Sequence, residues 1–186
     1  MGNSVNLTFD LGDMPQGFEQ QLATHKAKVR RAIRRAITKT GRWLNVQAKR
    51  RTSSALNIAQ KPLRNRFKLE VKHDKHTNQV NLWIGLLPIA ISRLGNPQQK
   101  KHGVMAKSHF VRGAFIANIY DRESVWLRRS SKHNPHQSGE GRFPVDEQKV
   151  EIAADAVNEI RLLERELNKR FQVIFKQELN YEFNVK

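Results

Sequence analysis

Between Glu19 and Glu70 the chain has no acidic residue, while positions 20 to 69 hold 15 Lys and Arg. Across that region Phe18, Leu22, Val29, Ile33, Ala36, Thr40 and Leu44 recur at steps of three, four and seven. At about 100° per residue these positions fall in one narrow stripe. Lys28, Arg30, Arg31, Arg34, Arg35, Lys39 and Arg42 fall on the other half of the wheel. The spacing predicts a long amphipathic helix, running to about Arg51, with one apolar and one strongly basic face. Such a helix must cover its apolar stripe with another layer. Its cations must meet a polyanion, an acidic partner or solvent.

The flanking segments supply that layer. Val5, Leu7, Phe9 and Leu11 alternate with polar residues, as in a half-buried strand. Gly12-Asp13-Met14-Pro15 breaks it and offers a helix start, with Pro15 in the first turn. Thr52-Ser53-Ser54 suggests a break and a new N-cap, leading into a shorter helix from Ala55 to Phe67 interrupted at Pro62. Phe67, Leu69 and Val71, then Val80, Leu82 and Ile84, predict a hairpin around the polar turn His73 to Asn78. Two more strands are expected at Phe110–Ile119, with a bulge at Gly113, and at Ser124–Arg128. Gly95–Gly103 and Ser130–Gly141 read as loops. Ala156, Ile160, Leu163, Leu167, Phe171, Ile174 and Leu179 mark a second long amphipathic helix.

The expected architecture is a single α+β domain over 1–186, with an antiparallel sheet of about four strands packed against the two long helices. Its parts are an N-terminal strand or arm (1–14), a basic helical region (15–66), antiparallel strands (67–145, with loops 95–103 and 130–141) and a C-terminal helix (150–186).

At 186 residues the chain suits one domain that needs no covalent staple. Nine Phe and three Trp argue against disorder, although apolar residues make up only 38 %. The absence of Cys removes disulfides, thiolate zinc sites and a Cys nucleophile. The start lacks the pattern of a secretory signal, and Asn6 stands where a myristoylation motif wants Ser or Thr. The longest apolar run, Leu82 to Ile91, is 10 residues and is interrupted by Gly85 and Pro88, about half a membrane span. A cytoplasmic or particle-bound protein without membrane contact is expected.

Catalytic motifs are not visible. No glycine loop leads into Gly-Lys-Ser/Thr, and Ser138-Gly139-Glu140-Gly141 reads as a turn. No Ser sits in a Gly-x-Ser-x-Gly elbow. His73 and His76, like His133 and His136, are three apart but lie in loops with Asp74 as the one nearby acid, so they read as solvated histidines rather than a zinc site. Glu159, Glu164 and Glu166 read as a solvated helix face. The expectation is a protein with no enzymatic activity, no cofactor and no metal.

The net charge of +17 is concentrated in the acid-free third, whereas positions 146 to 186 hold 9 acids and 7 bases. The basic helix could follow a phosphate backbone. No aromatic is interleaved on the basic face, and Trp43 borders the apolar stripe, which gives base stacking little support. The alternative is that this face meets acids on the C-terminal helix or on another subunit.

Several segments resemble the minor tail protein Z family of tailed bacteriophages and prophages. They are Arg31-Ala-Ile-Arg-Arg-Ala-Ile, Lys61-Pro-Leu-Arg-Asn-Arg, Leu87-Pro88-Ile89 leading to Arg93-Leu94-Gly95, Gly113-Ala114-Phe115-Ile116, and Gly141-Arg142-Phe143-Pro144-Val145, in that order between about residues 25 and 182. The resemblance implies a virion structural protein of the tail-completion or head–tail joining type, at the head-proximal end of a long tail. It also implies a homo-oligomeric ring near the genome channel, with other tail or connector proteins and double-stranded DNA, read without base specificity, as partners. The location implied is the virion tail, and the bacterial host cytoplasm during assembly. The alternative from the residues alone is a non-sequence-specific double-stranded nucleic-acid-binding module. Leu87, Pro88, Ile89, Phe115 and Ile116 read as core, with a subunit interface as the alternative; Pro88 would suit an edge strand.

Overall fold

A computed structural model describes residues 4–10, 19–73, 78–119, 121–133 and 144–185. The expected helix start at Asp13–Pro15, Phe18, His76, His136 and Ser138–Gly141 lie outside them.

The long helical period is realised as α1, Glu19–Ala55, interrupted by non-helical backbone at His25. Val29, Ala36, Thr40 and Leu44 of the stripe are buried, Ile33 is half-buried, and Ala32, Ile37 and Ala48 extend the buried face. The helix runs through Thr52-Ser53-Ser54 instead of breaking there. Its stop is Asn57, whose φ of 50° is left-handed. Around it Ile58 N–H donates to Ser53 O (3.0 Å) and Asn57 N–H to Ser54 O (3.1 Å), the two bonds of a Schellman cap. Buried Ser53 adds its own Oγ–H to Ile58 O at 2.7 Å. The expected helix from Ala55 to Phe67 is replaced by a short 3-10 turn, Lys61–Arg66, with Pro62 in its opening positions.

The strands are antiparallel throughout but divide into four small sheets. In the first, β1 (Ser4–Asp10), β3 (Asn78–Gly85) and β2 (Phe67–His73) lie in the order β1-β3-β2. Phe67 faces Ile84, Leu69 faces Leu82 and Val71 faces Val80, so the apolar set of the expected hairpin shares one face, turned toward α1. Next come β4 (Ile89–Ala90), β5 (Gln98–Lys100), β6 (Gly103–Ala106), β7 (His109–Arg112), β8 (Phe115–Ile119), β9 (Arg122–Arg128), β10 (Val145–Glu147) and β11 (Lys149–Val150). They form the sheets β5-β6-β7, β10-β9-β8 and β11-β4.

Two expectations change here. Gly95–Gly103 is not simply a loop, because β5 lies inside it and pairs with β6. The Gln99 side-chain amide holds it down, donating to Gly103 O (3.1 Å) and Ala114 O (3.3 Å) and accepting from Ile116 N–H (3.1 Å). Phe110–Ile119 is not one bulged strand either. Gly113, at φ 75°, turns the chain from β7 in one sheet to β8 in another. A residue with a Cβ would be strained in that left-handed conformation.

The second helix, α2, spans Ala153–Asn180 and ends in a π-helical turn, Tyr181–Val185. It runs antiparallel to α1, placing Arg51 against Glu166 and Arg31 against Glu182. The main core gathers Leu44, Leu63, Leu82, Ile89, Leu127 and Leu163, with many others, between the sheets and the middle of the helices. A second cluster joins Val29, Ile37 and Val80 to Phe171, Ile174 and Phe175.

The cap predicts a selective effect at one residue. Asn57→Ala should cost about 1 kcal/mol in chemical denaturation, and Asn57→Gly should be neutral or stabilising.

Candidate basic interface on the long helices

Residues four apart on a helix stack on one face. Arg31, Arg35 and Lys39 form such a ladder on α1, and Glu178 and Glu182 form one at the C-terminal end of α2. Because the helices run antiparallel, the ladders interleave. Arg31 Nε donates to Glu182 Oε2 at 3.1 Å. Arg35 pairs with Glu178 at 3.3 Å and also with Glu182. Lys39 pairs with Glu178.

The carboxylates are the buried side of this contact. The Glu182 side chain is 0 % exposed and that of Glu178 7 %, whereas Arg31 and Lys39 are half open to solvent. A carboxylate in that setting is stable only with compensating charge, and three cations converge on the two acids. Aromatic rings close the end of the contact. Arg35 lies 5.0 Å from the Tyr181 ring and Lys28 lies 5.3 Å from the Phe183 ring. His25, at the interruption of α1, meets Phe183 edge-on at 5.3 Å. Farther along, Arg51 Nη2 donates to both oxygens of Glu166 at 2.8 and 2.9 Å, and Arg170 lies 5.9 Å from the ring of half-buried Trp43. Glu166 is therefore more than a solvated acid.

The seven cations thus separate into groups. Arg31, Arg35 and Lys39 are paired with acids within the chain, and Lys28 lies against Phe183. Arg30, Arg34 and Arg42 sit one residue away on the wheel, in a second ladder whose remaining rung is Thr38. All three are exposed and make no ion pair with a described acid. Thr38 Oγ1 donates to Arg34 O at 2.9 Å and lies 3.0 Å from His73 Nε2. His73 Nδ1 lies 3.1 Å from Asn78 Oδ1 across the β2–β3 hairpin, so the Thr38–His73 contact ties that hairpin to the helix. Arg34, Arg42, Thr38 and His73, with Arg35 and Lys39, line a shallow groove of about 330 Å³. The sequence pattern did not single out His73 for this place.

The apolar candidates do not form one patch. Ile89 is buried in the main core and Ile116 packs against it. Phe115 is half-buried, with Arg128 5.6 Å from its ring. Leu87 is 51 % exposed. Pro88 is half-buried and immediately precedes β4. Among the described residues no group of three or more His, Asp or Glu could hold a metal ion, and no helix is long and apolar enough to cross a membrane.

The chain matches no protein-family model, and neither a curated protein nor a solved structure shows detectable similarity to it.

The ion pairs should differ in weight. Glu182→Gln should cost about 2 kcal/mol of folding free energy, because it leaves buried polar atoms against uncompensated guanidinium groups. Glu166→Gln, in the more exposed pair, should cost less than about 1 kcal/mol.

Proposed function

We propose that this chain is a structural subunit of a phage or prophage tail, acting in tail completion or head–tail joining as a ring around the path of the genome. Its ladder of Arg30, Arg34 and Arg42 contacts the DNA backbone without reading bases. The observation that carries the DNA contact is the division of the basic face. One ladder is paired with buried carboxylates, three cations on two acids, and the adjacent ladder has no such partner and stands on the surface.

From Arg30 to Arg42 the helix rises about 18 Å, the axial length of roughly five base pairs. Guanidinium groups at helical spacing suit phosphate oxygens, and their alignment along one rigid element contains nothing that distinguishes one base pair from another. The tail assignment is supported by the ordered segments that resemble the minor tail protein Z family. A ring also needs unlike patches that meet around a closed circle. The basic α1 surface is one such patch, and the exposed side of α2, where Glu164 stands among Arg161, Arg165, Lys169 and Lys176, is a second surface of mixed charge. The location this reading gives is the virion tail.

A free double-stranded nucleic-acid-binding module would use the same ladder, so oligomeric state separates the two readings. Electron microscopy of the purified protein, alone and with tail extracts, should show rings or density at tail ends. A strict monomer that joins neither would leave only the binding module. For either reading, changing Arg30, Arg34 and Arg42 together to Gln should flatten the slope of log K against log salt by about 2.7 while the protein stays folded. An unchanged slope would remove this ladder as the contact surface.

A further inference from the structure

On the sheet side of the molecule a cavity of about 410 Å³ opens between β4, β9, β10 and β11. None of its lining residues belongs to α1. Its charged walls are Arg66, Arg93, Arg122 and Lys149 with Glu123 and Glu147, four cations against two carboxylates.

The charges are not evenly matched. Glu147 is fully engaged: it accepts from Ser124 Oγ at 2.9 Å and lies 3.4 Å from Arg122 and 3.6 Å from Lys149. Ser124 is itself buried and 3.0 Å from Ser92 Oγ, so a hydroxyl chain fixes the carboxylate in the wall. Arg122 and Lys149 therefore share one acid between them.

Arg66 and Arg93 make no ion pair with a described acid, although Glu123 lines the same cavity. Arg66 is held by two backbone carbonyls, donating to Leu87 O and, at 3.2 Å, to Pro88 O. Five N–H groups on a guanidinium leave three for the cavity after those two bonds. Burial, and then the nearby charge of Arg93, pull the Arg66 guanidinium below its ordinary pKa. Two like charges are thus brought together on a rigid backbone anchor, and an anion placed between them would relieve the repulsion.

We propose that this cavity binds a single phosphate group, as the free ion or as a terminal phosphate monoester, held by the guanidinium forks of Arg66 and Arg93 with Arg122 and Lys149 behind them. The excess of two positive charges matches the dianion. A carboxylate or an internal phosphodiester carries one charge and leaves half of that excess unbalanced. Guanidinium forks also give two parallel hydrogen bonds to a pair of phosphate oxygens, which fixes orientation as well as charge.

The test is titration of the whole protein with inorganic phosphate at pH 8, ionic strength held constant with chloride, followed by amide and guanidinium nitrogen NMR shifts. Saturable shifts confined to Ser92, Arg93, Ser124 and the Arg66 side chain are expected. Arg93→Gln should raise the Kd about tenfold, and Lys176→Gln, at an exposed cation on α2, should leave it unchanged. Shifts that do not saturate, or that spread over all surface cations, would overturn the proposal, as would an unaltered Kd in Arg93→Gln or equal binding of acetate. A short oligonucleotide with a 5′-phosphate should compete if the monoester is the natural group, and only the free ion should bind if it is not. Competition by the matching 5′-hydroxyl oligonucleotide would show diester binding and overturn the assignment.

Discussion

The contact between α1 and α2 at Glu178 and Glu182 is the constraint from which the arrangement of this molecule follows. Two carboxylates lie largely buried inside the helix interface, and the cations that compensate them come from the opposite helix. Sliding α2 by one turn would carry a buried carboxylate away from the cations that compensate it, at a cost of several kcal/mol. The pairing therefore selects the register of two helices whose Ala, Ile and Leu stripes would tolerate others. The rings of Tyr181 and Phe183 cover the end of the contact, and the main core beyond it sets how the sheets pack on the pair.

That constraint also decides which charges remain available. A face of seven cations looks uniform on a helical wheel. In the folded chain a shift of one residue separates Arg31, Arg35 and Lys39, which stabilise the fold, from Arg30, Arg34 and Arg42, which do not. Part of the +17 is thus an internal matter. The part that remains outside is what the proposed contact with DNA depends on, and the cavity at Arg66 and Arg93 is a separate place where cations outnumber acids four to two.

Much of this was legible in the sequence. The period of α1, the hairpin at Phe67–Ile84, the period of α2 and the α+β class follow from apolar spacing alone. The boundaries were harder. Ser and Thr serve both as caps and as interior residues, so Thr52-Ser53-Ser54 imitates a break, while the stop depends on Asn57 tolerating a left-handed backbone. Polar Gly95–Gly103 conceals β5, because Gln99 orders it through hydrogen bonds rather than burial. The buried acids were hidden by the same habit of following apolar residues, which leads from Ile174 to Leu179 and steps over Glu178. Continuing from Ile174 in steps of four lands on Glu178 and Glu182. Acids on an apolar stripe facing an Arg-rich helix were the available signal.

The α1–α2 ladders form a coupled electrostatic contact and not a chance approach of surface charges. A double-mutant cycle between Arg35 and Glu182, measured by urea denaturation of Arg35→Gln, Glu182→Gln and the pair, tests it most directly. The account predicts that the double variant is less destabilised than the sum of the singles, by about 1.5 kcal/mol or more. Additivity within about 0.5 kcal/mol would contradict it, and would return Arg35 to the group of free surface cations.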